Sequence, residues 1–272
     1  MRNHKLRAFT LVELLVVVGI IALLIAILMP ALGKAREQAN RIKCAANLRA
    51  MGQALTMYVQ QSRYYPGGMG TQGMIDHFAI WPTRLRALLN GDQKVFHCPS
   101  RDAEFEWSAS GGPAVASADV ATPLLSMFGY VPGEPLLRPN QRFSYSYNLW
   151  GDGTTTSLPT EKQRGLGGTV SAPGRDPRFR EMAASRIRAA AEMVAIVDSN
   201  GDGNLDFGTI PYRGTEPGYP GTVHGGGANV LFCDGHVQWY RRDDLLVGAE
   251  PGKNPPPDDD ARRRMWNNDN QP

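Results

Sequence analysis

Residues Phe9 to Met29 read FTLVELLVVVGIIALLIAILM, and this stretch decides how the chain is organised. It holds 21 residues with one charge, Glu13, and no proline. At about 1.5 Å per residue a helix of that length is roughly 30 Å long, enough to cross a bilayer core. A short basic leader, MRNHKLRA, precedes it. The apolar run is too long for a cleaved secretory signal, and no small-x-small cleavage pattern follows it. Glu13 is the odd feature. A carboxylate within the apolar layer costs about 2.5–3.5 kcal/mol on insertion scales, so it marks function.

Working outward, the helix resumes after Pro30. From Ala35 to Ser62 there is no proline, and glycine occurs only at Gly52. Ala35, Ala39, Ile42 and Ala46, then Leu48, Met51, Leu55 and Val59, recur at spacings of mostly three and four, which predicts an amphipathic helix. Its first half carries small residues suited to packing against other helices, and its second half carries larger ones suited to lying on a sheet. Pro30 removes one backbone hydrogen bond and predicts a kink. Tyr64-Tyr65-Pro66-Gly67-Gly68 ends the helix.

These residues carry a family resemblance. Phe9-Thr10-Leu11-Val12-Glu13, after a basic leader and before an apolar helix, resembles the N-terminal cleavage and methylation segment of type IV pilins and type II secretion pseudopilins. The resemblance implies that a prepilin peptidase cuts between Ala8 and Phe9 and methylates the new Phe9 terminus. The family usually has Gly before the cut, so Ala8 is a departure. A proline about two-thirds of the way along the first apolar stretch is also a family habit, and Pro30 matches it. The match covers about residues 1–60. Cleavage would leave an α-ammonium on Phe9, one helical turn from Glu13. In a filament, the Glu13 of one subunit would neutralise the Phe9 ammonium of a neighbour, removing two charges that lipid penalises. The plainer alternative is an uncleaved signal anchor whose Glu13 snorkels to the head groups.

Composition bounds the rest. The 272 residues suit one membrane segment plus one soluble domain of about 200 residues. Twenty-nine basic and 26 acidic residues leave a net charge of +3, too balanced to argue for nucleic acid. Thirty Gly and 20 Pro predict long loops between short strands. Cys44, Cys98 and Cys233 are too widely spaced for a CxxC metal signature. Outside the cytoplasm they allow one disulfide and one thiol, or three small buried residues, and spacing does not choose the pair. Five basic residues between Lys34 and Arg49 outnumber the three of the leader, which by counting favours the leader outside. The family orientation, leader inside, is preferred because its peptidase cuts on the cytoplasmic face.

Beyond the helix, Thr83–Leu89 predicts a short helix and Val95–Pro99 a strand-like run. Glu104 to Gln141 and Gly151 to Arg180 have loop composition. RFSYSYNLW, at 142–150, alternates aromatic and polar residues as a half-buried strand does. A short helix is expected over Ser185–Glu192, and Met193–Val197 is an apolar strand. Asn229–Tyr240, NVLFCDGHVQWY, predicts a hairpin closed by Asp234-Gly235 in a two-residue type I′ turn. That register pairs Phe232 with Val237 and Val230 with Trp239 on a core face. The tail from Pro251 onward reads as solvated, without a docking role for Trp266.

Two constellations could carry chemistry. His224 stands ten residues before Asp234-Gly235, and this spacing resembles the C-terminal H-x9-DG motif of a large group of pilin-like proteins with the same N-terminal segment. A catalytic reading makes His224 a base oriented by Asp234. The structural reading, which is favoured, has Asp234 building the hairpin and His224 bonding across its base, because no nucleophile accompanies the pair. The second is Asp198-Ser199-Asn200-Gly201-Asp202-Gly203-Asn204-Leu205-Asp206, which resembles the first nine positions of an EF-hand-type calcium loop. Asp198, Asn200 and Asp202 would offer side-chain oxygens, Asn204 its carbonyl, and Asp206 a direct or water-mediated contact. Thr209 stands where the bidentate Glu belongs. The alternative is a polar turn after a strand.

The expected architecture is α+β and pilin-like, a long N-terminal helix on a small antiparallel sheet with long loops. Its parts are a leader (1–8), a transmembrane helix (9–30), an amphipathic continuation (31–64), a globular domain (65–250) and a polar tail (251–272). The expected function is structural: a subunit of a type II secretion pseudopilus or related filament, with prepilin peptidase and other pilin-like subunits as partners. The expected location is the inner membrane, single-pass, with the N-terminus cytoplasmic. A membrane-tethered binding protein that does not polymerise is the alternative, and a hydrolase using His224 and Asp234 is a third class.

Overall fold

The computed structural model describes residues 11–67, 69–70, 81–107, 142–149, 165–167, 169–170, 181–201, 208–209, 211, 218–248, 258–267 and 270. One helix, α1, runs Leu11–Ser62 and continues through Pro30. The chain divides into two compact units, Met1–Asn40 and Arg41–Pro272. In the first, the large apolar side chains from Leu11 to Leu32 are 46–78% exposed. A surface so uniformly apolar is unstable in water and is made for lipid or for other helices.

In the second unit, α1 buries Cys44, Leu48, Met51 and Leu55, one stripe at helical spacing. Burial of Leu48, Met51 and Leu55 contributes about 1.5–3 kcal/mol each. Ile42 and Ala46 remain exposed, so the small-residue stripe expected from the sequence is not spent within the chain. Glu181 fixes the end of α1: its Oε1 accepts from the Arg84 guanidinium, the Tyr58 hydroxyl (3.3 Å) and the Gly67 amide (3.1 Å).

Five strands form the main sheet: β2 (Tyr145–Asn148), β4 (Val194–Asp198), β5 (Gly208–Thr209), β6 (Gly227–Phe232) and β7 (Val237–Arg241). Their order is β5-β2-β4-β6-β7. The three pairings from β2 to β7 are antiparallel, but β5 lies parallel to β2, so the sheet is mixed rather than purely antiparallel. Two short strands, β1 (Met69–Gly70) and β3 (Thr169–Val170), pair in parallel elsewhere. Helix α2, Trp81–Leu88, forms as expected, and the Trp81 ring stacks on Tyr147 with centroids 5.6 Å apart. Lys94–Phe96 is a single 3-10 turn rather than a strand, and in place of the helix expected over Ser185–Glu192 there is a 3-10 turn at Ala184–Arg186.

Strand β2 is buried on both faces, not one. Its Tyr145 and Tyr147 face α1 and α2, where Asn47 of α1 reaches the Tyr145 hydroxyl at 3.3 Å. Ser146 and Asn148 occupy the opposite face and are buried because every polar group there finds a partner. Ser146 bonds Thr209, and the Asn148 amide donates to the carbonyls of Val194 (2.9 Å) and Trp266 (3.2 Å). The partner from the C-terminus corrects the expectation of a solvated tail. After β7 come α3 (Arg242–Leu245) and, further on, α4 (Asp259–Trp266). Trp266 is fully buried and its indole donates to the Leu245 carbonyl at 2.9 Å.

The hairpin differs from expectation by one residue of register. Leu231 pairs with Val237 and Asn229 with Trp239. The Gly235 amide donates to the Phe232 carbonyl, and the Phe232 amide to the His236 carbonyl, both at 3.0 Å. The loop is therefore three residues, Cys233–Gly235, with positive φ only at Gly235 (+93°) and not at Asp234. This is a type I turn followed by a glycine bulge, in which only the second residue of the Asp-Gly pair needs the left-handed region. The slip places Leu231 and Asn229, not Phe232 and Val230, toward α1. An ideal Cβ on Gly52 would stand 2.7 Å from Leu231 Cδ1 and 3.5 Å from the Gly235 backbone, so α1 crosses the hairpin closely at Gly52.

Candidate functional site

Four segments converge where α1 meets one end of the sheet. Cys44 comes from α1, Cys98 from the turn after Lys94–Phe96, Asp198 from the last position of β4, and His224 from the chain just before β6. Cys44 and Cys98 are joined in a disulfide across 54 residues of sequence, with Cα atoms 5.2 Å apart. Spacing could not choose this pair, and Cys233 is left as the thiol. Burial pushes the Cys233 thiol up to about 12, so it is a poor nucleophile.

Each segment has its own restraint. The Cys98 amide donates to Ser144 Oγ at 3.0 Å, and Asn47 donates to the His97 carbonyl at 2.9 Å. The His224 carbonyl accepts the Trp239 indole proton at 3.0 Å, and its amide donates to Gly227. With the backbone so fixed, the imidazole Nε2 sits 3.4 Å from Cys98 Sγ and 3.7 Å from Asp198 Oδ2. All four side chains are 0–1% exposed. Asp198 Oδ2 accepts the Asn229 amide proton at 2.6 Å, whereas its Oδ1 has no hydrogen-bond partner among the described residues. Desolvation raises the Asp198 carboxyl from 3.8 to about 6, against the pull of His224 and the Asn229 amide.

His224 and Asp234 are not brought together. They lie at opposite ends of β6, and the Asp234 carboxylate accepts from its near neighbour, at 2.6 Å from the His236 imidazole and 3.1 Å from the His236 amide. Asp234 therefore serves the turn with Gly235. His224 serves the junction with Cys98 and Asp198, and a base oriented by Asp234 does not exist here. Of the calcium-loop residues, Asp198 turns inward to His224 and Asn229, and Asn200 is half-buried. The Arg101 guanidinium donates to the Ser199 carbonyl beside them. Asp202, Asn204 and Asp206 lie outside the described residues, as do Ala8 and Phe9. Glu13 is exposed in the first turn of α1.

A membrane-length apolar helix that continues as the spine of a small α+β sheet domain defines a pilin-like protein. The prokaryotic N-terminal methylation motif matches residues 3–29. The type II secretion system core protein G of Klebsiella michiganensis is 34% identical over 83 residues, which are 30% of this chain and 58% of that protein. The chain thus spans less than two thirds of that relative. The protein of the same name from Escherichia coli K12 is 37% identical over 99 residues, 36% of this chain and 67% of that protein. No solved structure matches. The chain belongs to the pseudopilin family of pilin-like proteins.

Proposed function

We propose that this chain is a structural subunit of a type II secretion pseudopilus or a related pilus-like filament. The observation that carries the reading is the coincidence of the methylation motif, residues 3–29, with an apolar helix whose large apolar side chains are left uncovered by the described residues. Before assembly lipid covers that surface, and after assembly the helices of neighbouring subunits do. Prepilin peptidase would cut between Ala8 and Phe9 and methylate Phe9. Glu13 would then pair with the Phe9 ammonium of the next subunit, where both charges are shielded from lipid. The leader is cytoplasmic and the sheet domain is on the far side of the inner membrane. The role is structural, with no catalytic group assigned.

The test is fractionation of cells that express the chain with its own secretion system. Mature chain in sheared filaments is the expected result. Chain found solely in the membrane fraction, with assembled filaments lacking it, overturns the reading and favours a tethered binding protein.

A further inference from the structure

We propose that the cleft between α1 and residues 91–107 binds a carboxylate, free or carried by an acidic peptide side chain. Its volume of about 710 Å³ falls within the range of about 300–1,000 Å³ typical of ligand sites. The disulfide holds its walls together. Lys43 and Asn47 stand beside Cys44 on α1, and His97 and Pro99 flank Cys98 on the facing segment. The Asn47 amide ties them further, donating to the His97 carbonyl at 2.9 Å and to the Tyr145 hydroxyl at 3.3 Å. Trp107 marks the ligand. It lines the cleft, is 5% exposed, and its indole N–H has no acceptor among the described residues. A buried donor left unmatched is costly, and an acceptor entering the cleft would relieve that cost. The ring is fixed beforehand: Phe96 packs against it with centroids 5.3 Å apart, and the Arg86 guanidinium lies 5.4 Å from its centroid.

The donors select the ligand. Lys43 and Lys94 line the same cleft, and neither ammonium forms an ion pair or hydrogen bond among the described residues. Asp92 and Glu106 line it too, yet neither closes on a lysine ammonium. Asp92 Oδ1 instead accepts the Lys94 amide at 2.9 Å, and Glu106 has a partner of its own. Three nitrogen donors around one cleft therefore await an acceptor, and two of them are charged. A carboxylate offers about four lone-pair sites on two oxygens and makes charge-assisted bonds to ammonium groups. Because Asp92 and Glu106 offset the two lysines, the cleft has no surplus charge to draw a polyanion and suits a single carboxylate.

The experiment follows the indole N–H resonances of the isotope-labelled full-length chain in detergent, with the Trp107 signal assigned by its loss in Trp107→Phe. The probes are glutarate, the peptide acetyl-Gly-Glu-Gly-amide and its Gln counterpart. Expected is a saturable downfield shift of the Trp107 indole proton with a carboxylate probe and none with the Gln peptide. A shift with glutarate as well as the Glu peptide assigns the site to free carboxylates, and a shift with the peptide alone assigns it to an acidic side chain. Lys43 and Lys94 are exposed, so replacing them leaves the core intact. Lys43→Ala and Lys94→Ala should each weaken binding about two- to fivefold, the size of an exposed charge pair, and added salt should weaken it too. A Trp107 signal that stays still with both carboxylate probes, an equal shift with the Gln peptide, or unchanged affinity in the double lysine variant overturns the proposal.

Discussion

Replacing Trp266 with Ala should make the domain unfold far more easily, although the residue stands six positions before the last residue, Pro272. The side chain is fully buried, and its indole N–H satisfies the Leu245 carbonyl at 2.9 Å. A buried Trp hides about 150–250 Å², which at about 25 cal/mol per Å² is worth about 4–6 kcal/mol as an upper bound. Core Trp→Ala changes cost about 3–5 kcal/mol, and the orphaned carbonyl belongs within that sum. In a domain of this size 1 kcal/mol moves the midpoint by about 2–4 °C, so the melt should drop by about 10 °C. Trp266→Phe separates the two contributions, keeping most of the area and losing the donor at a cost of about 1–2 kcal/mol. The assay is near-UV circular dichroism of the full-length chain in detergent during heating. A solvated tail would respond within about 0.5 kcal/mol. A drop under about 2 °C for the Ala variant refutes the docking.

Gly52→Ala gains about 1 kcal/mol of helix propensity but forces a Cβ to 2.7 Å from Leu231 Cδ1, and overpacking costs about 1–3 kcal/mol, so a net loss of about 1 kcal/mol is expected. A stabilised variant in chemical denaturation would contradict the close crossing. Glu13→Ala should leave membrane insertion intact while incorporation into sheared filaments falls; normal incorporation removes the charge-pairing argument. We also propose calcium binding in the loop between Asp198 and Asp206, through the residues after Asp198. At a hundredfold excess over Kd it would add about 2.7 kcal/mol to the oxidised chain, an increment that Asp202→Ala abolishes. Equal melting in calcium and in chelator would make the loop an ordinary polar turn.

The elements with a strong local period are legible in the sequence, whereas the weaker runs at Val95–Pro99 and Ser185–Glu192 fold as 3-10 turns instead of the expected strand and helix. The apolar run, the stripe Leu48, Met51, Leu55 and the strands around Val194–Val197 and Val230–Phe232 each carry their period within a few residues. The hairpin was found, but its register was not, because an Asp-Gly pair serves both a two-residue turn and a three-residue turn with a bulge. Strand β2 misled for a different reason. Its polar face looks solvent-ready until Asn148 meets the Trp266 carbonyl, a contact across 118 residues that no local pattern encodes. His224 drew notice through its spacing to Asp234, yet its partners are Asp198 and Cys98, the latter 126 residues away. The signal was the histidine itself, whereas its chemistry depended on the fold.

The reading as a processed pilin-like subunit is decided at the N-terminus. Mass spectrometry of the chain purified from a host with an active prepilin peptidase should find a mature terminus at Phe9, N-methylated, with the eight-residue leader gone. An intact Met1 terminus from the same host would contradict it and leave an uncleaved membrane anchor.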